Sequence, residues 1–237
     1  MVLTAIESRD CRFVLICFSG VKIVCFSATA SFSAGIPLLV IGIITARRAG
    51  SLAEMPYAAI LIAFGVQQIV EGLLWLSLPT QSATTHGLAI VYLLFSNVLW
   101  PIYVPLAVWM IEPSASRRRM ILFPLAVGIA VSLFFLFALI TQPVYATIKG
   151  MHIGYHLPHP HDALAIAFYA AATCFTPLLS SHRLVRLFGV AIIISMIAAQ
   201  AIYSHWFASV WCFFSALASG IVFMHISRAA HPPARTA

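Results

Sequence analysis

Long apolar runs, separated by short clusters of charged and turn-forming residues, dominate the chain. A helix of about 20 apolar residues is long enough to cross the hydrocarbon core of a bilayer, so each run of this length predicts a transmembrane helix. The pattern predicts seven such helices, at Val24–Ala46, Met55–Leu78, Gly87–Ile111, Met120–Thr141, Ala163–Ser180, Leu184–Tyr203 and Phe207–Ile226. The expected fold is an all-α membrane protein, a single bundle of seven transmembrane helices.

The composition agrees with a membrane protein, because 62% of the 237 residues are apolar and only 8% are charged. Soluble domains carry about 25% charged residues. This deficit excludes an ordinary soluble fold and a disordered chain. The net charge of +7 lies in short clusters between apolar runs, which is typical of topology determinants rather than of a nucleic-acid-binding surface. The lipid bilayer is therefore the expected partner, and nucleic acid is not.

The arginines predict which side of the membrane is cytoplasmic. Outside the N-terminal residues, the loops on one side of the seven-helix layout hold Lys149 as their cation, whereas the other side is rich in arginine. The positive-inside rule assigns the arginine side to the cytoplasm, with the N-terminus outside and the C-terminus inside. We expect a multi-pass protein of the cell inner membrane. The arginines on the cytoplasmic side are Arg47, Arg48, Arg117, Arg118, Arg119, Arg183, Arg186, Arg228 and Arg235.

The first 23 residues fit this layout poorly. Phe13–Val21 is too short to span a bilayer, and charged residues flank it on both sides. One interpretation is that translation starts at Val24, so that residues 1–23 are a mispredicted extension. A signal peptide is disfavoured by the charged start and by the lack of a small-residue cleavage site. We divide the chain into an N-terminal extension (1–23), a seven-helix transmembrane domain (24–227) and a short cytoplasmic tail (228–237).

Glu71 is the one acidic residue inside a predicted span. Gln67 and Gln68 precede it by one helical turn on the same face, and Trp75 follows it by one turn. An ionised side chain in hydrocarbon costs about 2.5–3.5 kcal/mol on insertion scales, so such residues often act as ligands, proton relays or general bases. The structural alternative is a protonated Glu71 that ties two helices together through the glutamines.

Other spans have polar residues at a similar depth. We expect them to form an outward-facing polar pocket around Glu71, although serine and threonine are also ordinary packing residues between membrane helices. The candidate pocket residues beside Glu71, Gln67, Gln68 and Trp75 are Ser27, Ser31, Asn97, Tyr203 and Trp211.

The connection from Gln142 to His161 is the longest on the outer side. Val144–Ile148 and Met151–Tyr155 alternate between larger and smaller or polar residues around Lys149-Gly150, which predicts a small β-hairpin over the outer face.

Two outer histidines suggest a metal site as a further hypothesis. His152 in the long loop and His205 in the last outer turn are the histidines best positioned to reach Glu71. Cys25 and Cys212 lie at a similar depth, and the set of five could hold a divalent metal such as zinc. Loop histidines are more often simply solvated, so the identity of any cofactor stays unknown.

Several stretches carry a family resemblance, namely Cys25-Phe26-Ser27-Ala28-Thr29-Ala30-Ser31-Phe32, Phe64-Gly65-Val66-Gln67-Gln68, Glu71-Gly72 with Trp75, Leu99-Trp100-Pro101, Ser180-Ser181-His182 and Ser209-Val210-Trp211-Cys212-Phe213-Phe214. Together they resemble an uncharacterised family of small seven-span bacterial membrane proteins, a domain of unknown function whose members begin Met-Cys-Phe-Ser-Ala-Thr-Ala-Ser-Phe. Val24 stands where that family has its initiator methionine. The resemblance implies a membrane fold over residues 24–227 and implies no activity.

Three functions remain open at this point. The first is binding or transport of a small ligand or ion at Glu71. The second is a metal-dependent membrane hydrolase, in which Glu71, His152 and His205 hold a metal that lowers the pKa of a bound water. The third is a structural or partner-binding subunit of unknown oligomeric state, so the sequence does not decide whether the protein is an enzyme.

The predicted topology is directly testable with reporter fusions. A reporter fused after Arg228 is expected to be cytoplasmic, and a reporter inserted between Gln142 and His161 is expected to be periplasmic, because the arginine clusters retain their side in the cytoplasm. A reversed signal at either position would reject both the span count and the outward location of the pocket.

Overall fold

The computed structural model describes residues 27–149, 152–158, 162–203 and 207–230. These ranges fold into ten α-helices and one β-hairpin, with π-helical turns at Leu94–Leu99 and Ala171–Phe175 and 3-10 turns at Leu78–Thr80 and Thr176–Leu179. The helices are α1 (Ala28–Arg48), α2 (Met55–Ala58), α3 (Ile60–Ser77), α4 (Ala83–Leu93), α5 (Trp100–Ile111), α6 (Ala115–Thr141), α7 (Asp162–Ala170), α8 (Arg183–Tyr203), α9 (Phe207–Ala218) and α10 (Gly220–Ala230). The strands are β1 (Tyr145–Lys149) and β2 (His152–His156).

The prediction of an all-α membrane fold is confirmed. Within the described ranges, six helical stretches are long and apolar enough to cross a bilayer. They are Ala28–Arg48, Met55–Thr80, Ala83–Ile111, Ala115–Thr141, Arg183–Ile202 and Phe207–Ala229. The stretch expected as a further span is a shorter apolar helix, Ala163–Leu179, whose second half changes to π and then 3-10 geometry.

Helices α1 and α3 pack closely because glycines remove side chains from their interface. A Cβ atom on Gly35 would lie 3.0 Å from the Gly65 carbonyl oxygen, and one on Gly65 would lie 2.9 Å from the backbone nitrogen of Leu39. Small residues permit such close backbone approach between membrane helices. The face of α3 that carries Gln68 is therefore closed on one side by α1.

Pro105 of α5 leaves the Pro101 carbonyl without its helical hydrogen-bond donor. That carbonyl faces Gly128 of α6, where a Cβ atom would lie only 1.8 Å from its oxygen. Neighbouring carbonyls in the π-helical turn receive side-chain hydrogen bonds instead: Ser132 Oγ donates to Val98 at 2.7 Å. Buried carbonyls in a membrane must find partners in the protein, and α6 provides both a donor and the space for close approach.

A second donor to this turn comes from α7. The Tyr169 hydroxyl donates to the Ser96 carbonyl at 2.5 Å. The irregular backbone between α4 and α5 is therefore held from two neighbouring helices.

The hairpin predicted in the long outer loop is confirmed, with both strands starting one residue later than expected. Strands β1 and β2 pair antiparallel, with Ala146 opposite Tyr155 and Ile148 opposite Ile153. Side chains on one face of a strand alternate with those on the other, so Ala146, Ile153 and Tyr155 share a face. Ala146 and Ile153 are buried in an apolar cluster with Leu74, Leu78 and Leu93. The hairpin therefore lies over the ends of α3 and α4.

The Gly128 contact generates a stability prediction. Gly128→Ala is expected to destabilise the protein by about 1–3 kcal/mol or more. The added methyl group would clash with the Pro101 carbonyl, which is part of the backbone and cannot rotate away as a side chain could. Gly87→Ala is the matched control, since nothing lies within 4 Å of a Cβ atom there and alanine favours a helix by up to about 1 kcal/mol. Thermal unfolding of the purified variants measures both, and equal melting temperatures would contradict the close contact.

Candidate functional site

Glu71 lies in the interior of the bundle, near the hairpin end of α3. Its side chain is 1% exposed, and those of Gln67 and Gln68, one turn earlier, are fully buried. The shared face predicted from their spacing therefore points into the protein. The three side chains place two amides and a carboxyl group at one depth of the bundle.

Ser209 of α9 makes the hydrogen bond to the Glu71 carboxyl group. Its Oγ donates to Oε1 at 2.5 Å. Gln67 is oriented by Trp100, whose indole nitrogen donates to the Gln67 Oε1 atom at 2.7 Å. Because an indole N–H only donates, the Gln67 amino group must face the other way, toward Cys212.

Two tyrosines complete the surroundings of the carboxyl group. Tyr92 of α4 and Tyr155 of β2 stack in parallel, with ring centroids 4.4 Å apart and an interplanar angle of 1°. Both hydroxyl groups and the Gln68 amide turn toward Glu71, although none meets the distance and angle of a hydrogen bond. Helices α3, α4 and α9 and strand β2 therefore converge on one carboxyl group.

We call this set the Glu71 cluster: Glu71, Gln67, Gln68, Tyr92, Tyr155, Ser209 and Cys212. Many of its buried polar atoms have no hydrogen-bond partner among the described residues. A buried polar group left unpaired costs about 1–3 kcal/mol, so the cluster has an unusual concentration of unmet hydrogen-bonding capacity. The unpaired atoms are Glu71 Oε2, Gln67 Nε2, both amide atoms of Gln68, and the Tyr92 and Tyr155 hydroxyl oxygens.

The expected outward-facing pocket is sealed in this structure. The reason is the hairpin, whose apolar face carries Ala146 and Ile153 over the ends of the helices, with Tyr155 reaching inward to Glu71. Sequence analysis predicted a hairpin over the outer face but did not predict that its Tyr155 would reach Glu71 and close the site. The cluster is consequently a buried site rather than an open one.

One candidate metal ligand, Cys212, and two further predicted pocket residues, Trp75 and Ser31, lie at or near the cluster. Cys212 faces Gln67, Glu71 and Tyr92. The Trp75 indole nitrogen is buried without a partner among the described residues, one turn beyond Glu71. Ser31 is buried on α1. Its neighbour Phe32 contacts Gly72 of α3, so Ser31 lies at the height of the helical turn that follows Glu71.

Other predicted pocket residues have different roles. Ser27 caps α1 by accepting a hydrogen bond from the Ala30 backbone nitrogen at 3.2 Å. Asn97 accepts from Ser96 Oγ at 3.0 Å within the π-helical turn. The Trp211 indole nitrogen donates to the Ile192 carbonyl of α8 at 3.2 Å. Ser27 and Asn97 thus serve their own segments and Trp211 joins α9 to α8, and the described residues show no hydrogen bond between these side chains and Glu71.

Of the candidate metal ligands that the structure describes, Cys212 lies beside Glu71 and His152 does not. His152 is buried, but it lies on the opposite face of β2 from Tyr155, because residues an odd number apart alternate between faces. Cys25, His205 and the Tyr203 side chain lie outside the described part of the protein. Among the residues that are described, no three His, Cys, Asp or Glu side chains are grouped so as to hold a metal ion.

Tyr92, Tyr155 and Ser209 are the cluster members that sequence analysis did not single out. Ser209 precedes Cys212 by three residues and therefore shares its helical face, which is a signal that the sequence contains. Tyr155 ends the alternating pattern of the hairpin. Nothing in the sequence distinguishes Tyr92 from the other aromatic residues of the predicted spans.

A second buried carboxyl group lies at the arginine-rich end of the bundle. Glu112 follows α5 and is 2% exposed. Its carboxyl group accepts a hydrogen bond from Ser180 Oγ at 2.9 Å. It also accepts one from the Ser181 backbone nitrogen at 2.7 Å and one from Ser181 Oγ at 2.5 Å. The Ser114 backbone nitrogen adds a fourth at 3.2 Å. This carboxylate joins the loop after α5 to the start of α8, where a helix N-terminus favours negative charge.

The fold and the site together define a multi-pass helical membrane protein with a buried polar cluster near one end. The chain belongs to the Family of unknown function (DUF6629), whose model matches residues 24–237. This membership confirms the resemblance to a family of unknown function. Comparisons with curated proteins and with solved structures find no match.

Glu112 generates a prediction for pH dependence. Burial by itself raises the pKa of Glu112, but the hydrogen bonds from Ser181, Ser180 and Ser114 outweigh it and hold that pKa below its ordinary value. A lowered folded-state pKa stabilises the fold above the ordinary glutamate value of about 4.3, and this contribution is lost as the pH falls from there through the folded-state pKa. The melting temperature should therefore fall over this acidic range.

Glu112→Gln tests this assignment. The free energy of unfolding of the variant is expected to be about 1.5–3 kcal/mol lower than that of the wild type at neutral pH, the magnitude of hydrogen bonds to a charged group. Its further decrease in acid should be smaller than that of the wild type. Thermal unfolding at a series of pH values measures both effects. An acid-induced loss as large in the variant as in the wild type would show that Glu112 is not the titrating group.

Proposed function

We propose that this protein binds a small polar ligand or an ion at the Glu71 cluster, within the membrane. The observation that supports this most directly is the convergence of unpaired polar atoms from α3, α4 and β2 around one carboxyl oxygen. Polar groups of this kind persist in a hydrocarbon environment where a ligand, an ion or a proton completes their hydrogen bonds at some stage of function.

The contrast with Glu112 supports a functional role for Glu71. Glu112 receives four hydrogen bonds from neighbouring loops, as expected for a carboxylate that ties elements together. Glu71 receives one hydrogen bond, from Ser209, and its second oxygen has no partner among the described residues. A purely structural glutamate would be expected to resemble Glu112.

We further propose that the protein has seven spans, with the N-terminus outside, the C-terminus in the cytoplasm and the hairpin on the outer side of the cell inner membrane. In support, the Arg117 guanidinium donates to the Leu179 carbonyl at 2.9 Å and Arg48 donates to Ser227 at 3.2 Å. These contacts gather the arginine segments at one end of the bundle. The short helix Ala163–Leu179 runs from the hairpin end to that arginine end, as a seventh span would.

Glu71→Gln tests the binding function. Glutamine keeps the size of the side chain but neither ionises nor acts as a strong cation ligand. We expect the free energy of unfolding to change by about 1 kcal/mol or less. Any ion or lipid that raises the melting temperature of the wild-type protein should no longer do so in the variant. The measurement is the melting temperature of wild-type protein and variant, each titrated with H⁺ (as a pH series), Li⁺, Na⁺, K⁺, Mg²⁺, Zn²⁺ and defined phospholipids.

Two further variants make the result decisive. Glu71→Ala removes the Ser209 hydrogen bond as well and should destabilise under any interpretation. Glu112→Gln is the matched carboxyl-to-amide control, which should lower stability and leave ligand-induced shifts intact. If Glu71→Gln matches wild type in every titration while Glu71→Ala unfolds, Glu71 only ties helices together and the proposal fails.

A further inference from the structure

The space around the Glu71 carboxyl group limits what it can hold. Ser209 Oγ lies 2.5 Å from one carboxyl oxygen, and Gln68, Tyr92 and Tyr155 turn toward the same group. A cavity adjoins the cluster at Cys212, but its volume is about 30 Å³, which is enough for one or two water molecules. A proton requires no cavity, whereas an organic ligand would require the hairpin or a helix to move.

The chemistry of the unpaired atoms also disfavours a metal cation. The Gln67 amino group is directed into the cluster because its carbonyl oxygen is engaged by Trp100. Amino and indole N–H groups donate hydrogen bonds and cannot ligate a cation. Apart from the Gln68 carbonyl oxygen, the unpaired atoms of the cluster are N–H and O–H groups around one carboxyl oxygen, a set suited to hydrogen-bonded proton exchange.

Tyr155 connects this carboxyl group to the outer part of the fold. It belongs to β2, outside the membrane-spanning helices, and its hydroxyl is buried beside Glu71. Burial, followed by the negative charge of a Glu71 carboxylate, raises the pKa of Tyr155 well above its ordinary value. The phenol therefore stays neutral, which suits a hydroxyl that accepts one proton while releasing another.

We propose that the ion bound at Glu71 is a proton, and that the Tyr155 hydroxyl relays it between the carboxyl group and a water molecule in the small cavity beside Cys212. This inference rests on the proposed function and names its ligand. In the release step, the Glu71 carboxylic acid gives its proton to the Tyr155 oxygen while the original phenolic proton passes to a water molecule in that cavity. The products are a Glu71 carboxylate, a neutral Tyr155 and a hydronium ion.

Within the described ranges, the titratable groups that face Glu71 are few. They are Tyr92 from α4, Tyr155 from β2 and Cys212 from α9. The charged residues of α1, which packs on the same face of α3, are Arg47 and Arg48 in its last turn, at the opposite end of the helix. Proton exchange at Glu71 is therefore expected to depend on the two phenols and the thiol rather than on a nearby fixed charge.

Infrared difference spectroscopy on the full-length protein in lipid nanodiscs tests the relay. The carbonyl stretch of a protonated carboxylic acid that disappears in Glu71→Gln identifies Glu71, and an acid–base titration shows whether it exchanges a proton. The rate at which this band shifts after transfer to D₂O measures access. Tyr155→Phe, which keeps the ring stacked on Tyr92, is expected to lower that rate about tenfold or more, because the relaying hydroxyl is lost.

Tyr145→Phe is the matched control. Tyr145 lies in the same hairpin but on its other face, stacked on His156 with centroids 4.8 Å apart, so its exchange rate should equal that of wild type. Thermal unfolding of both variants checks that the hairpin remains folded.

The outcomes separate this inference from the proposed function. Slowing in Tyr155→Phe alone supports the relay. An unchanged rate in Tyr155→Phe, or equal slowing in both tyrosine variants, overturns the relay and leaves the binding function standing. If no titrating band depends on Glu71, proton binding is rejected, and the thermal shifts with other ions and lipids then decide the proposed function independently.

Discussion

The hydrocarbon core of a bilayer offers no hydrogen-bond partners, and the arrangement of this bundle depends on that constraint. Where Pro105 removes a backbone donor, the freed Pro101 carbonyl lies against Gly128. The π-helical turn next to it receives hydrogen bonds from Ser132 and Tyr169. At the arginine-rich end, Glu112 is surrounded by four donors. Against this background, the unpaired atoms of the Glu71 cluster stand out by their number, and for that reason we propose that they carry the function.

The hairpin makes the buried site depend on an element outside the spans. Tyr155 reaches Glu71 only because Ala146 and Ile153 anchor the same face of the hairpin on α3 and α4. Movement of this hairpin would change both the polarity around the carboxyl group and its access to water. An extramembrane element of only a few residues thus controls the environment of a group deep in the bundle.

The candidate site could be predicted in part. A glutamate in an apolar run with glutamines one turn earlier identified the centre of the cluster, because helical spacing decides which side chains share a face. The same argument could have found Ser209 from Cys212. It could not find Tyr92, since its contact with Tyr155 joins residues 63 positions apart in the sequence. It also could not decide on which face of the hairpin His152 lies, because the face that a strand residue occupies depends on the register of the hairpin.

Apolar content and helical spacing are local properties of the chain, and by themselves they determined the membrane fold, the approximate limits of the long helices, the hairpin and the depth of Glu71. Tertiary structure alone decided that Tyr155 of the hairpin reaches the polar residues, that Trp211 donates to α8, and that the helix Ala163–Leu179 loses α-geometry in its second half. The physical reason is that a polar atom's partner is chosen by the packing of elements distant in sequence. Whether both carboxyl oxygens of Glu71 have hydrogen-bond partners depends on how α3, α4, α9 and β2 pack together.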